Sequence, residues 1–376
     1  MSFSLDQYLQ DLELIVNIDS GSKNSKGINQ VADFFIERYQ RLGYLTEKTT
    51  NANLMAVNGD YDNYDVLLIG HMDTVFPEGT AVERPFRISG NRAYGPGVAD
   101  MKSGLLLMYY SLKAMQEEGL DRDLAICVVL NSDEEIGSKK SIPLIKELAQ
   151  KSKVALVLEG ARNVASLVLE RKGIAGYHLN FTGIAAHAGV EPEKGASAVV
   201  ELAHWVSELN ELNDLAAGTT VNVGVIEGGT AANVIAEQAR ATVDLRFKTE
   251  AAREKVETVM EDLKNNPRVK GVNVEVIRHG IRPAMNPSAE TMRLVERVQE
   301  IGQRLKLDLN WIASGGGSDA NTTAGLGIPT IDGLGPVGAN PHSKNEYLEL
   351  DSVKLRSTFL TEIISACRDF KGKRPE

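Results

Sequence analysis

Cysteine is nearly missing from this chain: two occur in 376 residues, Cys127 and Cys367. A disulfide scaffold is therefore excluded, and a reducing compartment suits the sequence. No stretch of about 18 apolar residues exists, so no membrane span is expected. Positive charge is also in deficit, with 41 Lys and Arg against 51 Asp and Glu, for a formal net charge of -10. That balance argues against a nucleic-acid partner, which favours a basic face. The opening Met1-Ser2-Phe3-Ser4-Leu5-Asp6 has no basic start followed by a long apolar segment. No signal peptide is expected from it, and the location expected is cytoplasmic. Repeats and low-complexity tracts are missing as well.

What remains is the composition of an ordinary globular protein, 43% hydrophobic and 24% charged. One compact core rarely grows beyond roughly 250–300 residues, so two domains are expected. Residues 5–18 predict a helix with Leu5, Leu9, Leu12 and Val16 on one face, and residues 27–42 a second, stopped by Gly43. The runs 66–69, 124–130 and 154–158 read as strands buried on both faces. Helices are predicted over 104–118, ended by Gly119, and over 142–150. Strands alternating with helices predict an α/β domain with a mostly parallel sheet flanked by helices.

From Gly173 the pattern changes. Strands are predicted over 175–181, 219–226, 239–247 and around Val272, Val274 and Val276. Helices fall over 196–212, with Val199, Ala203, Val206 and Leu209 on one stripe, and over 251–263. This β-α-β-β-α-β order is ferredoxin-like α+β. After Pro283 the α/β pattern returns, with helices over 289–305 and 351–369. The chain thus divides into residues 1–172 and 282–376, which form one discontinuous catalytic domain, and an inserted domain at 173–281.

Five potential metal ligands stand where the chain should leave the carboxyl ends of apolar runs or enter a turn: His71, Asp100, Glu135, Glu159 and His342. Open α/β sheets bind ligands at those ends, so distant residues can meet at one point. Two His and three carboxylates suit two zinc ions sharing a bridging Asp. Asp73 follows His71 at i+2, on the same side of an extended chain, where it can hold the imidazole ring. Asp100 precedes a helix in a Gly-rich turn, a position that also suits a helix cap. In Asp133-Glu134-Glu135, adjacent acids repel unless a cation or protons intervene. One Glu can bind metal while its neighbour faces water; spacing alone leaves open which does which. His187 lies in a loop of small residues, Gly183 to Gly189, that lets an imidazole project. His178, His204 and His279 read as packed or solvated.

The patterns H-x-D at 71–73, G-x-G-x-x-D-x-K-x-G at 95–104 and D-E-E-x-G at 133–137 resemble the M20 family of metallopeptidases, in its glutamate carboxypeptidase branch. The resemblance extends over nearly the whole chain, and these motifs in this order are highly specific. It implies two zinc ions per subunit, held by His71, Asp100 as the bridge, Glu135, Glu159 and His342. It implies Glu134 as general base, Asp73 as the residue orienting His71, and His187 polarising the scissile carbonyl, often across a dimer. Asn233, Arg246 and Gly317 match substrate-contacting positions, with Arg246 gripping a substrate carboxylate. An ion pair with Asp244 is the less favoured role for Arg246. The insert is then a lid and dimerisation domain of a homodimer. The implied activity is hydrolysis of the amide before a C-terminal, glutamate-like amino acid in a small peptide. N-acyl-amino-acid deacylase and dipeptidase activities use the same machinery, and a non-catalytic metal-binding relative is disfavoured because Glu134 is present. Glu159 is followed by Gly160-Ala161-Arg162, where many relatives have proline.

Overall fold

The computed structural model describes residues 3–370. The chain forms two compact units. One comprises the chain up to Glu170, Asn286–Ser314 and the chain from Ser318; the other comprises Arg171–Met285 with Gly315–Gly317. The three glycines lie outside the insert drawn from sequence, and they group with it because Arg171 Nη1 donates to the Gly316 carbonyl at 3.0 Å.

In the first unit the run Val66–Ile69 forms the middle of the strand Tyr64–His71. That strand sits inside a six-stranded sheet ordered Leu45–Lys48, Leu54–Val57, Ile126–Asn131, Tyr64–His71, Ser152–Val157, Thr330–Ile331. The last four run parallel, and the first two add antiparallel. Val66, Leu67, Leu68, Ile69 and Val128 to Leu130 are fully buried, as a strand covered on both faces requires. Register then fixes the site: His71 lies opposite Asn131, and Ile69 opposite Val157. Three neighbouring strands release their chains at one edge.

The helices follow from local signals. Ser4, Asn24 and Ser288 cap Leu5–Val16, Ser25–Arg41 and Ala289–Arg304 by accepting the N–H groups of Gln7, Gly27 and Thr291. Ser103–Glu117 ends just before Gly119, whose φ of +68 is a left-handed stop. Leu350–Ala366 is the last helix described. A small antiparallel sheet, ordered Gly338–Ala339, Tyr347–Glu349, Arg92–Tyr94, Arg87–Ser89, joins the segment around His342 to the turn leading to Asp100. No helix among the described residues is long and apolar enough to cross a membrane.

The second unit has a four-stranded antiparallel sheet ordered Thr220–Gly228, Gln238–Phe247, Gly173–Thr182, Asn273–Arg282. With helices Ala198–Asn210 and Glu250–Asn265 this is the ferredoxin-like order. Its core alternates along the strands, with Ala175, Tyr177, Leu179 and Phe181 buried. The stripe expected on the first helix is displaced. Ala198, Leu202, Trp205 and Leu209 face the core, Val199 is 40% exposed, and Ala203 is exposed. Trp205 decides the rotation: the largest apolar side chain packs edge-on against Phe181 at 5.5 Å, and its indole N–H donates to buried Glu201 at 3.2 Å.

Candidate metal centre

The sheet edge of the first unit gathers all five expected ligands. His71, at the end of its strand, donates from Nδ1 to the Asp73 backbone carbonyl at 2.9 Å. That bond fixes the tautomer and turns the Nε2 lone pair towards the site. Nε2 lies 3.1 Å from Asp100 Oδ1 and 3.7 Å from Glu159 Oε1. His342 Nε2 lies 3.1 Å from the other Asp100 oxygen, Oδ2, and 3.2 Å from Glu135 Oε2. Asp100 therefore presents one oxygen to each imidazole, with Glu159 on one side and Glu135 on the other. The His71 side chain is 1% exposed and that of His342 53%, so one half of the site is internal and the other opens outward. His342 is held at φ +61, which is uncommon for a residue with a side chain.

These spacings test the fit to a metal. Two ligand atoms at about 2.0–2.2 Å from one tetrahedral ion lie about 3.3–3.6 Å apart, close to the separations found. The facing atoms of His71, Asp100 and Glu135 lie within 4.8 Å of one another. Glu135 Oε1 is buried without a hydrogen-bond partner, an atom that lacks an electrophile. The residues fit a divalent cation.

Asp73 meets the His71 ring with more than its backbone carbonyl. Its carboxylate stands 3.5 Å from His71 Nδ1. It also accepts the Ser22 hydroxyl at 2.6 Å and the backbone N–H groups of Glu134 at 3.0 Å and Glu135 at 3.2 Å. The chain turns after His71, so the Asp73 carbonyl meets the ring as well as its carboxylate. Asp73 thereby links His71 to the short helix Glu134–Ile136, which carries both glutamates.

Several residues brace the site, and of these only Lys102 falls in one of the quoted sequence patterns. Glu346 accepts N–H groups from Gly97 at 2.9 Å, Ala99 at 2.8 Å and Asp100 at 2.9 Å, and so shapes the turn that carries Asp100. Asp319 accepts from Asn131 and from the Ser138 hydroxyl, bracing the acidic turn from below. Lys102, 1% exposed, donates to the Ile18 carbonyl at 2.8 Å, and burial lowers its pKa to about 7. Arg356 is fully buried and donates to the carbonyls of Gly333, Gly335, Val164 and Ser166. It holds the 333–335 loop against the strand end at Glu159, where a Cβ on Gly335 would come within 2.5 Å of the Leu158 carbonyl oxygen.

The remaining sequence candidates lie in the second unit. His187 is exposed, bridges to Val234 and accepts the Gly189 N–H on Nδ1 at 3.2 Å. The Ala188 N–H donates to the Asn233 carbonyl, so these two loops run side by side. Arg246 donates to Asp244 from Nε at 2.7 Å and from Nη2 at 3.0 Å, the ion pair that is its less favoured role on sequence grounds. His178 and His279, expected to be packed or solvated, stack with ring centres 4.2 Å apart.

Electrostatics report the same crowding. Burial, reinforced by repulsion from Asp100 and opposed by His71, pushes Glu135 up to about 8. Burial, with Asp100 next, holds Glu159 well above the usual carboxylate range. The Asp100 hydrogen bond raises His342 to about 9 against the opposing effect of burial. For Asp100 burial works upward, but the bonds to His342 and His71 hold it well below the usual range. Without metal, the folded protein thus keeps protons on Glu135 and His342 that the unfolded chain has already released. A proton excess in the folded state means stability falls as pH rises. The metal-free protein should lose thermal stability between about pH 5 and about pH 9. Added zinc, which displaces those protons, should raise Tm more at the alkaline end than at the acid end. Thermal scans with chelator and with zinc check this; a zinc increment independent of pH contradicts it.

Comparison with known proteins agrees with this geometry. Residues 67–366 match the model of peptidase family M20/M25/M40. The chain is 31% identical over 368 residues to carboxypeptidase G2 from Pseudomonas sp. (strain RS-16), covering 95% of this chain and 88% of that one. It is 26% identical to succinyl-diaminopimelate desuccinylase from Nitrosospira multiformis, over 86% of this chain and 89% of that one. The crystal structure of aminopeptidase PepT from Bacillus cereus shares the fold, with a TM-score of 0.79 at 24% identity over 97% of this chain and 99% of that one. The chain belongs to peptidase family M20 and is a metal-dependent hydrolase.

Proposed function

We propose that this protein is a dizinc hydrolase that cleaves the amide bond before a C-terminal, glutamate-like amino acid in small peptides or N-acyl amino acids. The observation that carries the reading is Asp100, whose two oxygens face two separate imidazoles, each with its own glutamate. In this reading His71, Asp100 and Glu159 hold one ion, and Asp100, Glu135 and His342 the other. When bound, the metal pair supplies Lewis acidity, which polarises the scissile carbonyl and acidifies water.

Glu134 is the base. It follows Asp133 on the turn fixed by Asp73, and its charge raises the pKa of both Glu135 and Glu159, which puts it in their company. It takes the proton of the attacking water and returns it to the leaving amine. His187 donates to the developing oxyanion. Asn233 binds substrate through its amide, and Gly317 lets backbone come close to it. Arg246 receives the substrate carboxylate. Its pair with Asp244 uses Nε and Nη2, which orients the guanidinium and leaves its end-on edge for a second carboxylate. A deacylase reading draws support from the desuccinylase relative, since the same groups serve any N-acyl amino acid.

Two features bear on assembly and location. Thr220–Gly228 is an edge strand with Val225 53% and Ile226 59% exposed. Val199, 40% exposed, packs beside its end at Gly228, and Val200 is 55% exposed. An unpaired apolar edge of this kind suits a homodimer through the second unit. Both cysteines are buried and free, which suits the cytoplasm.

Glu134→Gln should keep its zinc and lose turnover by about a thousandfold. Full activity in that variant removes Glu134 as base. Arg246→Ala should raise KM about tenfold to a hundredfold for substrates with a free carboxylate, and far less for their amides. Equal effects on the two exclude it from recognition. Light scattering should find a dimer that Ile226→Asp weakens; a monomeric wild type rules that interface out.

A further inference from the structure

The first unit carries a cavity of about 510 Å³ that none of the roles above uses. Its walls are the loops 21–24 and 74–78 together with Glu135 and Ile136. Sites for small molecules commonly span roughly 300–1,000 Å³. The cavity is built rather than incidental. The Thr74 N–H donates to the Ser20 carbonyl at 3.0 Å, and the Ser22 N–H to the Thr74 carbonyl at 3.1 Å. The Ser22 hydroxyl reaches Asp73, so these loops are fastened to the residue that holds the Glu134–Glu135 turn. A Cβ on Gly21 would lie 2.3 Å from the Phe76 carbonyl oxygen, so only glycine lets the two loops close this far.

Much of the exposed wall is apolar. Val75 is 42% and Ile136 51% exposed, and Phe76 and Pro77 complete that side. The Arg84 guanidinium lies 4.9 Å from the centre of the Phe76 ring and steadies it. The charged lining residues are Lys23 and Glu78, one of each sign, and Glu135. No arginine lines the cavity, so it is poorly suited to gripping a carboxylate.

Glu135 belongs both to this cavity and to the metal centre. A group attached within a few bonds of the scissile carbonyl therefore enters it. That carbonyl has two sides. On the function proposed above, the amine side carries a carboxylate for Arg246, which leaves the acyl side. We infer that the cavity is the acyl subsite and takes an apolar chain or ring, with Val75, Phe76 and Ile136 setting the preference. This inference rests on the hydrolase reading.

The test uses the zinc-loaded protein and two probes, N-hexanoyl-glutamate and N-acetyl-glutamate. Wild type should favour the hexanoyl compound in kcat/KM. Val75→Ser and Ile136→Ser should each lower the ratio of the two kcat/KM values about tenfold. Bound zinc, measured by atomic absorption, should be unaltered in both variants. Val82→Ser, at a residue 85% exposed outside the cavity, should leave the ratio where it was. Hydrolysis of both compounds with a ratio that neither cavity variant moves overturns the subsite while sparing the hydrolase. A wild type that prefers the acetyl compound overturns the subsite too. A wild type that cleaves neither compound defeats the proposed cleavage before a glutamate-like residue, and the subsite falls with it.

Discussion

Negative charge gathered at one edge of a buried sheet is the constraint to which the rest of this structure answers. Asp100, Glu135 and Glu159 lie within reach of two imidazoles, and like charges so close and so little hydrated cannot all persist alone. Protons or cations must separate them. The upward displacement of Glu135, Glu159 and His342 is the proton solution, and a divalent metal is the other. The arrangement exists because the central strands are apolar on both faces. Burial fixes their register, and register sets His71 opposite Asn131 and Ile69 opposite Val157, so the three strands end side by side.

Holding such a cluster takes more than packing, because most of its members lie beyond the strand ends. Three buried polar side chains do this through backbone groups. Asp73 collects the N–H groups of the Glu134–Glu135 turn, and Glu346 collects those of the Asp100 turn. Arg356 does the inverse, gathering four carbonyls around the strand end at Glu159. A carboxylate that accepts several N–H groups sets loop shape directly. Burial pushes Glu346 up to about 7 against those bonds, so it carries its charge most fully above neutral pH. Outer partners of this kind orient metal ligands and matter nearly as much as the ligands themselves.

How far the sequence foretells this depends on whether a signal is local. Runs such as Val66–Ile69 and Val154–Leu158 announce buried strands, and Gly43 and Gly119 mark helix ends by their need for positive φ. Edge pieces such as Leu45–Lys48, exposed along most of its length, or the two-residue Thr330–Ile331 carry no period to read. The helix stripe around Val199 misleads because one tryptophan outweighs two valines and turns the helix by a residue. Among site residues, His71, Asp100 and the acidic triplet stand in short patterns beside strand or helix ends. Glu346 and Arg356 do not, since their partners are backbone groups far away in the chain. The bond from the His71 ring to the Asp73 carbonyl depends on one turn, which residue types do not encode.

On the function proposed here, the inner metal-site residues and the substrate-contacting residues occupy different kinds of position, which suits a scaffold shared with relatives named for carboxypeptidase and for desuccinylase activity. His71 and Asp73 are buried at the end of a core strand, where substitution disturbs register, charge balance and hydrogen bonding together. Asn233, Val75 and Ile136, which meet the substrate in the function proposed here, are exposed. Exposed substitutions usually change stability by no more than about 0.5 kcal/mol, so such positions can vary without endangering the fold. A change of substrate therefore demands little of the protein, whereas a change of reaction would require moving groups that the sheet itself holds in place.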